Sequence, residues 1–188
     1  MAPEPRNLGT AEPRNHKDDE ALLLAFLAGD RPAFDELFQR YRQPIWAFFR
    51  RRLSDAAEAE ELAQETFLAV LKASRRYEAR ASFRSYLFGI AFNLLSAARR
   101  KAQRRGDVSS PNPDDVVGRT TDHAAVLWVR QALDALDPKD REIVMLREYD
   151  GLDYAEIAVV VGVPLNTVRS RLFRARSALR TQLTGVRR

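Results

Sequence analysis

Helical periodicity runs through nearly the whole of this chain, and it constrains the fold more than any single motif does. Apolar residues recur three and four positions apart, and no alternation of polar and apolar residues lasts long enough to make a strand. An all-α fold follows. Cap and break residues divide it into elements. The first helix is expected to begin near Asp18 or Asp19 and to end at Gly29. A second takes Asp30 as N-cap with Pro32 in its first turn, and runs toward Leu53 with a kink or break at Pro44. Ser54 is placed to cap a third helix reaching about Ser74, and Ser82 a fourth reaching Arg105.

Between Gly106 and Thr121 the sequence GDVSSPNPDDVVGRTT is rich in Gly, Ser, Pro and Asp, which marks a linker. Beyond it Asp122 opens one helix, and Asp137 with Pro138 at N1 opens another. A short helix covers Asp153 to Val161, and a last one runs from about Leu165 to Leu183. Asp153 and Glu156 have capping-box spacing, and Gly162 stands where a C-cap glycine belongs. The expected architecture is two small helical domains, residues 18–105 and 122–185, joined by a flexible linker at 106–121 and preceded by a disordered tail at 1–17. No internal repeat is visible.

Several chemistries are excluded by what is missing. The 188 residues contain no Cys, which removes disulfides, thiolate metal sites and a Cys nucleophile. Only His16 and His123 offer imidazole, so a His metal cage or a Ser-His-Asp relay is not expected, and neither is any metal or cofactor. The longest apolar run, Ala21 to Ala28, falls far short of the roughly 20 residues a bilayer needs, and the polar N-terminus has no signal-peptide core. A cytoplasmic, non-enzymatic protein is the expectation.

Charge is informative by segment. The net value is only +5, yet from Lys72 to Arg105 ten basic residues face the single acid Glu78, a local balance of +9. From Val163 to Arg188 there are seven arginines and no acid. The stretch Leu53 to Leu71 holds five acids and no base. Two basic blocks and an acidic one suggest a polyanion met at two places and a separate protein contact, although solvated helix faces carry the same pattern.

The C-terminal stretch DYAEIAVVVGVPLNTVRSRLFRARSALR has the form of a helix-turn-helix. At about 100° per residue, Val168, Leu172, Ala175 and Leu179 form the buried stripe of its long helix. Asn166, Ser170, Phe173, Arg174 and Ser177 then form the outward crest, with Arg169, Arg176 and Arg180 on one flank and Arg171 on the other. Such a face suits a major groove, with the crest reading base edges and the flanks neutralising phosphates. Phe173 is either an apolar contact to a thymine methyl or a partly covered surface residue.

The fourth helix is apolar around most of its circumference, with one polar sector: Ser85, Tyr86, Gly89, Asn93, Ser96, Arg100, Gln103 and Arg104. An aromatic at one end and guanidiniums at the other suit single-stranded nucleic acid, and the preceding loop, Arg75-Arg76-Tyr77 to Ser82-Phe83, repeats the pairing. A core helix with a wet edge has the same look. In the third helix, AEELAQETF, Ala59, Leu62, Thr66 and Ala69 face the bundle and Glu61, Gln64, Glu65 and Leu68 face out.

Together, AEELAQETFLAVLK followed by SFRSYLFGIAFNLL resembles region two of the bacterial sigma factors. The segment LDPKDREIVMLREYDGLDYAEIAVVVGVPLNTVRSRLFRARSALR resembles their region four. The two-domain form is similar to the extracytoplasmic-function group. The resemblance implies an alternative sigma factor that joins core RNA polymerase, directs it to promoters and promotes DNA opening. It implies docking to the β′ clamp helices through Glu61, Leu62, Gln64, Glu65 and Phe67, and a contact with the β flap. It implies recognition of an opened −10 element by Arg76, Tyr77, Ser82, Phe83, Arg84, Tyr86, Asn93, Ser96 and Arg100. The −35 duplex falls to Asn166, Thr167, Arg169, Ser170, Arg171, Phe173, Arg174 and Arg176. An anti-sigma factor is a further implied partner. Departures from the family pattern are Tyr86 for a common Trp, Phe92 for Arg, Ser96-Ala97 for Ile-Asp, and Asn166 for Gly. Competing readings are a free-standing helix-turn-helix regulator, which leaves the acidic third helix unused, and a sigma-like interaction protein, which needs no basic recognition helix.

Overall fold

The computed structural model describes residues 16–73, 82–106 and 123–185, and every described element is a helix. In chain order these are α1 (His16–Leu27), α2 (Arg31–Arg50), α3 (Ala56–Ala73), α4 (Phe83–Arg105), α5 (His123–Asp134), α6 (Pro138–Glu148), α7 (Tyr154–Val161) and α8 (Leu165–Gly185). They form two helical domains, α1–α4 and α5–α8. The expected linker lies outside the described residues apart from Gly106, as does the expected tail apart from His16 and Lys17, where α1 already begins.

Local signals explain most helix ends. Ser82 caps α4 by accepting the Ser85 amide at 3.2 Å, and Gly106 closes it in the left-handed region at φ 78°. Asp137 caps α6, with Pro138 at N1. The capping box of α7 is complete, with Asp153 Oδ1 accepting the Glu156 amide and Glu156 Oε2 accepting the Asp153 amide, both at 2.8 Å. Two expectations are corrected. It is Asp55, not Ser54, whose carboxylate takes the Ala57 amide, at 2.8 Å, at the head of α3. Nor does Pro44 end α2: Tyr41, Ile45, Phe48 and Phe49 bury the helix on both sides of the proline, so packing holds it through the missing hydrogen bond.

The first domain centres on α4, whose Phe83, Leu87, Phe88, Ala91 and Leu95 are buried. Phe88 meets Phe48 edge-on with centroids 5.8 Å apart, and Phe83 meets Tyr41 at 5.6 Å. The Tyr41 hydroxyl donates to the buried Asp19 at 2.5 Å, tying α2 to α1. In the second domain, α8 lays Val168, Leu172 and Ala175 against the other helices, with Leu179 partly covered behind them.

The domains meet along a charged seam. Arg52, at the end of α2, reaches Glu142 at 2.5 Å and Asp150 at 2.6 Å, while Arg51 reaches the other Asp150 oxygen at 2.5 Å. Arg99 of α4 adds a bond to Glu142 at 3.2 Å. Arg84, near the head of α4, bonds the carbonyls of Asp150 and Gly151 and the Glu156 carboxylate at 2.5, 2.9 and 3.0 Å. Burial pushes the Glu142 carboxyl up, but Arg52 and Arg99 outweigh it and hold the group below the usual carboxylate range. Burial lowers Arg52 in turn, and its two carboxylates more than restore it.

Candidate nucleic-acid interface

The recognition face is built from the turn upward. Gly162, at φ 69°, closes α7, and the Pro164 carbonyl accepts the amides of Thr167 and Val168 at 2.8 and 3.2 Å, starting α8. Because Val168, Leu172 and Ala175 are buried, the rotation of α8 is fixed and its opposite side faces out. Asn166, Arg169, Ser170, Phe173, Arg174, Arg176 and Ser177 are all exposed. Phe173 is 76% exposed, which removes the reading of a partly covered residue. Thr167 and Arg171 are half-buried at the edges of the face.

Neighbouring polar groups hold this face in order. Asn166 accepts from Arg169 at 3.3 Å, and Ser170 donates to the Thr167 carbonyl at 3.1 Å. Arg176 bonds Glu148 at 2.7 Å and the Tyr154 hydroxyl at 3.3 Å, and the Glu148 bond raises its pKa further. Asp140 lies 3.9 Å from Arg171 and 3.7 Å from Arg174, a second carboxylate beside the cationic face. Beside the crest, Arg169, Phe173, Arg176, Ser177 and Arg180 line a concavity of about 360 Å³ with Tyr154 and Leu172. Guanidiniums around an exposed ring are suited to a sugar-phosphate backbone running past a base edge.

On α4 the structure gathers part of the expected set. Tyr86, Asn93, Ser96 and Arg100 share one strip: Asn93 and Arg100 are exposed, and Tyr86 and Ser96 half-buried. Burial raises the Tyr86 phenol, which stays protonated at neutral pH. Ser96 donates to the Phe92 carbonyl at 2.8 Å. Phe83 and Arg84 stand apart from this strip. Phe83 is fully buried against Tyr41, and Arg84 is committed to the seam, because each points between α4 and a packed neighbour. Ser85 is buried as well, and Ser82 reaches Glu156 at 3.4 Å. Arg76 and Tyr77 lie outside the described residues.

On α3, Glu61, Gln64 and Glu65 are exposed, with Leu68 51% exposed beside them. Leu62 and Phe67 are instead buried, because they belong to the face that packs on the bundle. Phe67 still floors a groove of about 340 Å³ between α2 and α3, which Phe38, Arg42, Gln43, Trp46, Glu60 and Gln64 also line. Sequence reasoning passed over Arg42, Gln43 and Trp46. The i, i+4, i+8 row of Phe38, Arg42 and Trp46 was the signal available.

An exposed, arginine-flanked helix seated by a capped helix and glycine turn defines a DNA-binding protein of the helix-turn-helix class. Comparison with known proteins narrows the class. The family model for sigma-70 region 2 matches residues 37–105, and that for sigma-70, region 4 matches residues 127–179. The RNA polymerase sigma-H factor of Pseudomonas aeruginosa is 33% identical over 178 residues, covering 87% of this chain and 92% of that protein. The ECF RNA polymerase sigma factor SigC of Mycobacterium tuberculosis is 34% identical over 170 residues, covering 86% and 91%. Among solved structures, CnrH in complex with the cytosolic domain of CnrY superposes with a TM-score of 0.67 at 25% identity, over 89% of this chain and 98% of that one. The sigma factor RpoE in complex with the anti-sigma factor NepR from Bartonella quintana shares the fold, with a TM-score of 0.64 at 24% identity over 82% and 98%. The chain belongs to the extracytoplasmic-function group of the sigma-70 family, and is a promoter-directing transcription initiation factor. No described helix is long and apolar enough to cross a membrane.

Proposed function

We propose that this chain joins core RNA polymerase through α3, reads a −35 duplex with α8 and receives an opened −10 strand along α4. The carrying observation is the α8 face, where a fixed buried stripe leaves Asn166, Ser170, Phe173 and Arg174 outward between flanking arginines. Duplex reading suits it because an α-helix fits the major groove and each bidentate contact discriminates by about 1–3 kcal/mol. The strip Tyr86, Asn93, Ser96 and Arg100 supports strand binding by stacking and backbone neutralisation, and the family resemblance assigns Arg76 and Tyr77 to the same strand. Glu61, Gln64 and Glu65, with the groove at Trp46, support docking of the β′ clamp helices, and the second domain is assigned the β flap.

In this reading, residues 18–105 and 122–185 are the two working domains, 106–121 the linker and 1–17 a tail. Each domain alone binds DNA weakly, and polymerase holds both at promoter spacing so that the second contact becomes intramolecular. The chain itself performs no covalent chemistry and acts in the cytoplasm, at the nucleoid when in holoenzyme. Relatives solved with anti-sigma partners support such a partner here. In vitro transcription with core enzyme on genomic fragments tests the assignment: promoter-specific transcripts are expected, and none from any fragment would refute it. Capture of core polymerase separates it from a free-standing regulator.

A further inference from the structure

The interior of α4 holds a glycine that the fold does not need. Gly29, Gly106, Gly151 and Gly162 all take positive φ, the region that favours glycine, and Gly89 does not. Inside a helix, glycine is the poorest former apart from proline. Crowding does not explain it either. A methyl group at Gly89 would meet no atom within 4 Å outside its adjoining residues and the backbone of its own turns. No packed helix approaches it and no turn depends on it, so alanine would serve folding better.

The missing side chain changes the outer surface instead. Gly89 falls on the polar strip of α4, three residues after Tyr86 and four before Asn93. Without a Cβ the helix backbone is bare there, a shallow recess between the phenol and the amide. Side chains on a helix lean toward its N-terminus, which directs Asn93 toward the recess. Its amide has no hydrogen-bond partner among the described residues, so donor and acceptor are both open to a ligand. Beyond the recess come Arg99, Arg100, Lys101, Arg104 and Arg105, with no acid anywhere in α4. That charge favours a polyanion. An unpaired base is flat enough to lie on bare backbone between a ring and an amide while the cations take its phosphates. An aliphatic side chain of a protein partner would leave the amide unpaired.

We propose that the bare backbone at Gly89 seats one unstacked base of the opened strand between Tyr86 and Asn93, and that any side chain at 89 displaces it. The inference rests on the strand-binding reading of α4 and names the seat within it.

The test uses holoenzyme and a fluorescent single-stranded −10 probe selected by the wild type, with Gly89→Ala and Gly89→Gln as a series of increasing size. Both replacements are good helix formers, so the free variants should melt higher than the wild type, by about 2–8 °C for alanine. The probe should nonetheless bind about 5-fold or more weakly to Gly89→Ala, and more weakly still to Gly89→Gln. Probes with one abasic position each locate the seat: at a single position, removing the base should erase the difference between wild type and Gly89→Ala. A melting temperature below that of the wild type would show that the fold itself needs this glycine. An equal loss at every abasic position would show a general disturbance, and reduced capture of core polymerase would assign the gap to protein packing. Each of these results overturns the seat. Tyr86→Leu and Arg100→Ala separate the seat from the reading beneath it. If they weaken strand binding and Gly89→Ala does not, the seat is wrong and the strip stands. If none of the three weakens it, the strand-binding reading of α4 falls, and the seat with it.

Discussion

Arg174 and Arg180 lie on the same helix, but the geometry gives them different work, and one pair of substitutions separates it. Arg174 sits on the outward crest with its side chain 64% exposed, whereas Arg180 lines the flanking concavity with Arg169 and Arg176. A crest arginine bidentate to a base edge is worth about 1–3 kcal/mol, so Arg174→Ala should weaken a selected −35 duplex by about 5–150-fold. It should also lose discrimination at one base pair. A flank arginine on phosphate contributes about 0.9 to the slope of log affinity against log salt, so three such groups give about −2.7 and Arg180→Ala leaves about −1.8. Between 50 and 200 mM salt the variant then loses about 3.5-fold less affinity than the wild type does. Fluorescence anisotropy of the holoenzyme with the selected duplex and its single-base variants, titrated with salt, reads both quantities. If Arg174→Ala lowers the slope and leaves base preference untouched, the crest does not read bases and the division of the helix is refuted.

Asp140→Asn removes the carboxylate 3.7 Å from Arg174 and should tighten binding to every duplex alike in the same assay. Glu61→Lys reverses an exposed charge of the α3 face, and capture of core polymerase should fall while −35 duplex binding by the free chain is unchanged. Tyr41→Phe deletes a hydroxyl that donates to the buried Asp19 and should destabilise the first domain by about 1.5–3 kcal/mol, seen by Trp46 emission during thermal unfolding in a Trp128→Phe background. Glu142 has a lowered pKa, so its contribution to the contact between the domains is complete above the ordinary carboxylate value and is lost as pH falls through the lowered one. Followed by small-angle X-ray scattering, the chain should keep its dimensions from neutral pH down to about 4 and expand below it, as Arg52 and Arg99 lose the Glu142 anion.

What could be read beforehand was whatever a few consecutive residues decide. Ser82, Asp137, the Asp153–Glu156 pair and Gly162 each act within a turn of their own position, and the structure puts a helix end at every one. The face of α8 was legible for a related reason, since a single buried stripe fixes a helix's rotation. Failures came where distant chain intervenes. Pro44 interrupts no helix because aromatic packing on either side overrides its local effect. Phe83 and Arg84 look like a surface pair in sequence, but their surroundings are set by Tyr41 and by a turn 66 or more residues away. No local pattern separates an arginine that will face solvent from one that will face Asp150.

The triple arginine at positions 50–52 shows what that distance entails for any exchange of domains. Two of its members share one carboxylate, Asp150, and Arg52 holds Glu142 as well. Reversing the charge at either 52 or 150 would leave a buried ion facing its own sign, so either change alone should loosen the contact between the domains. A first domain joined to a second that lacked Glu142 and Asp150 would leave Arg51 and Arg52 without these counter-ions.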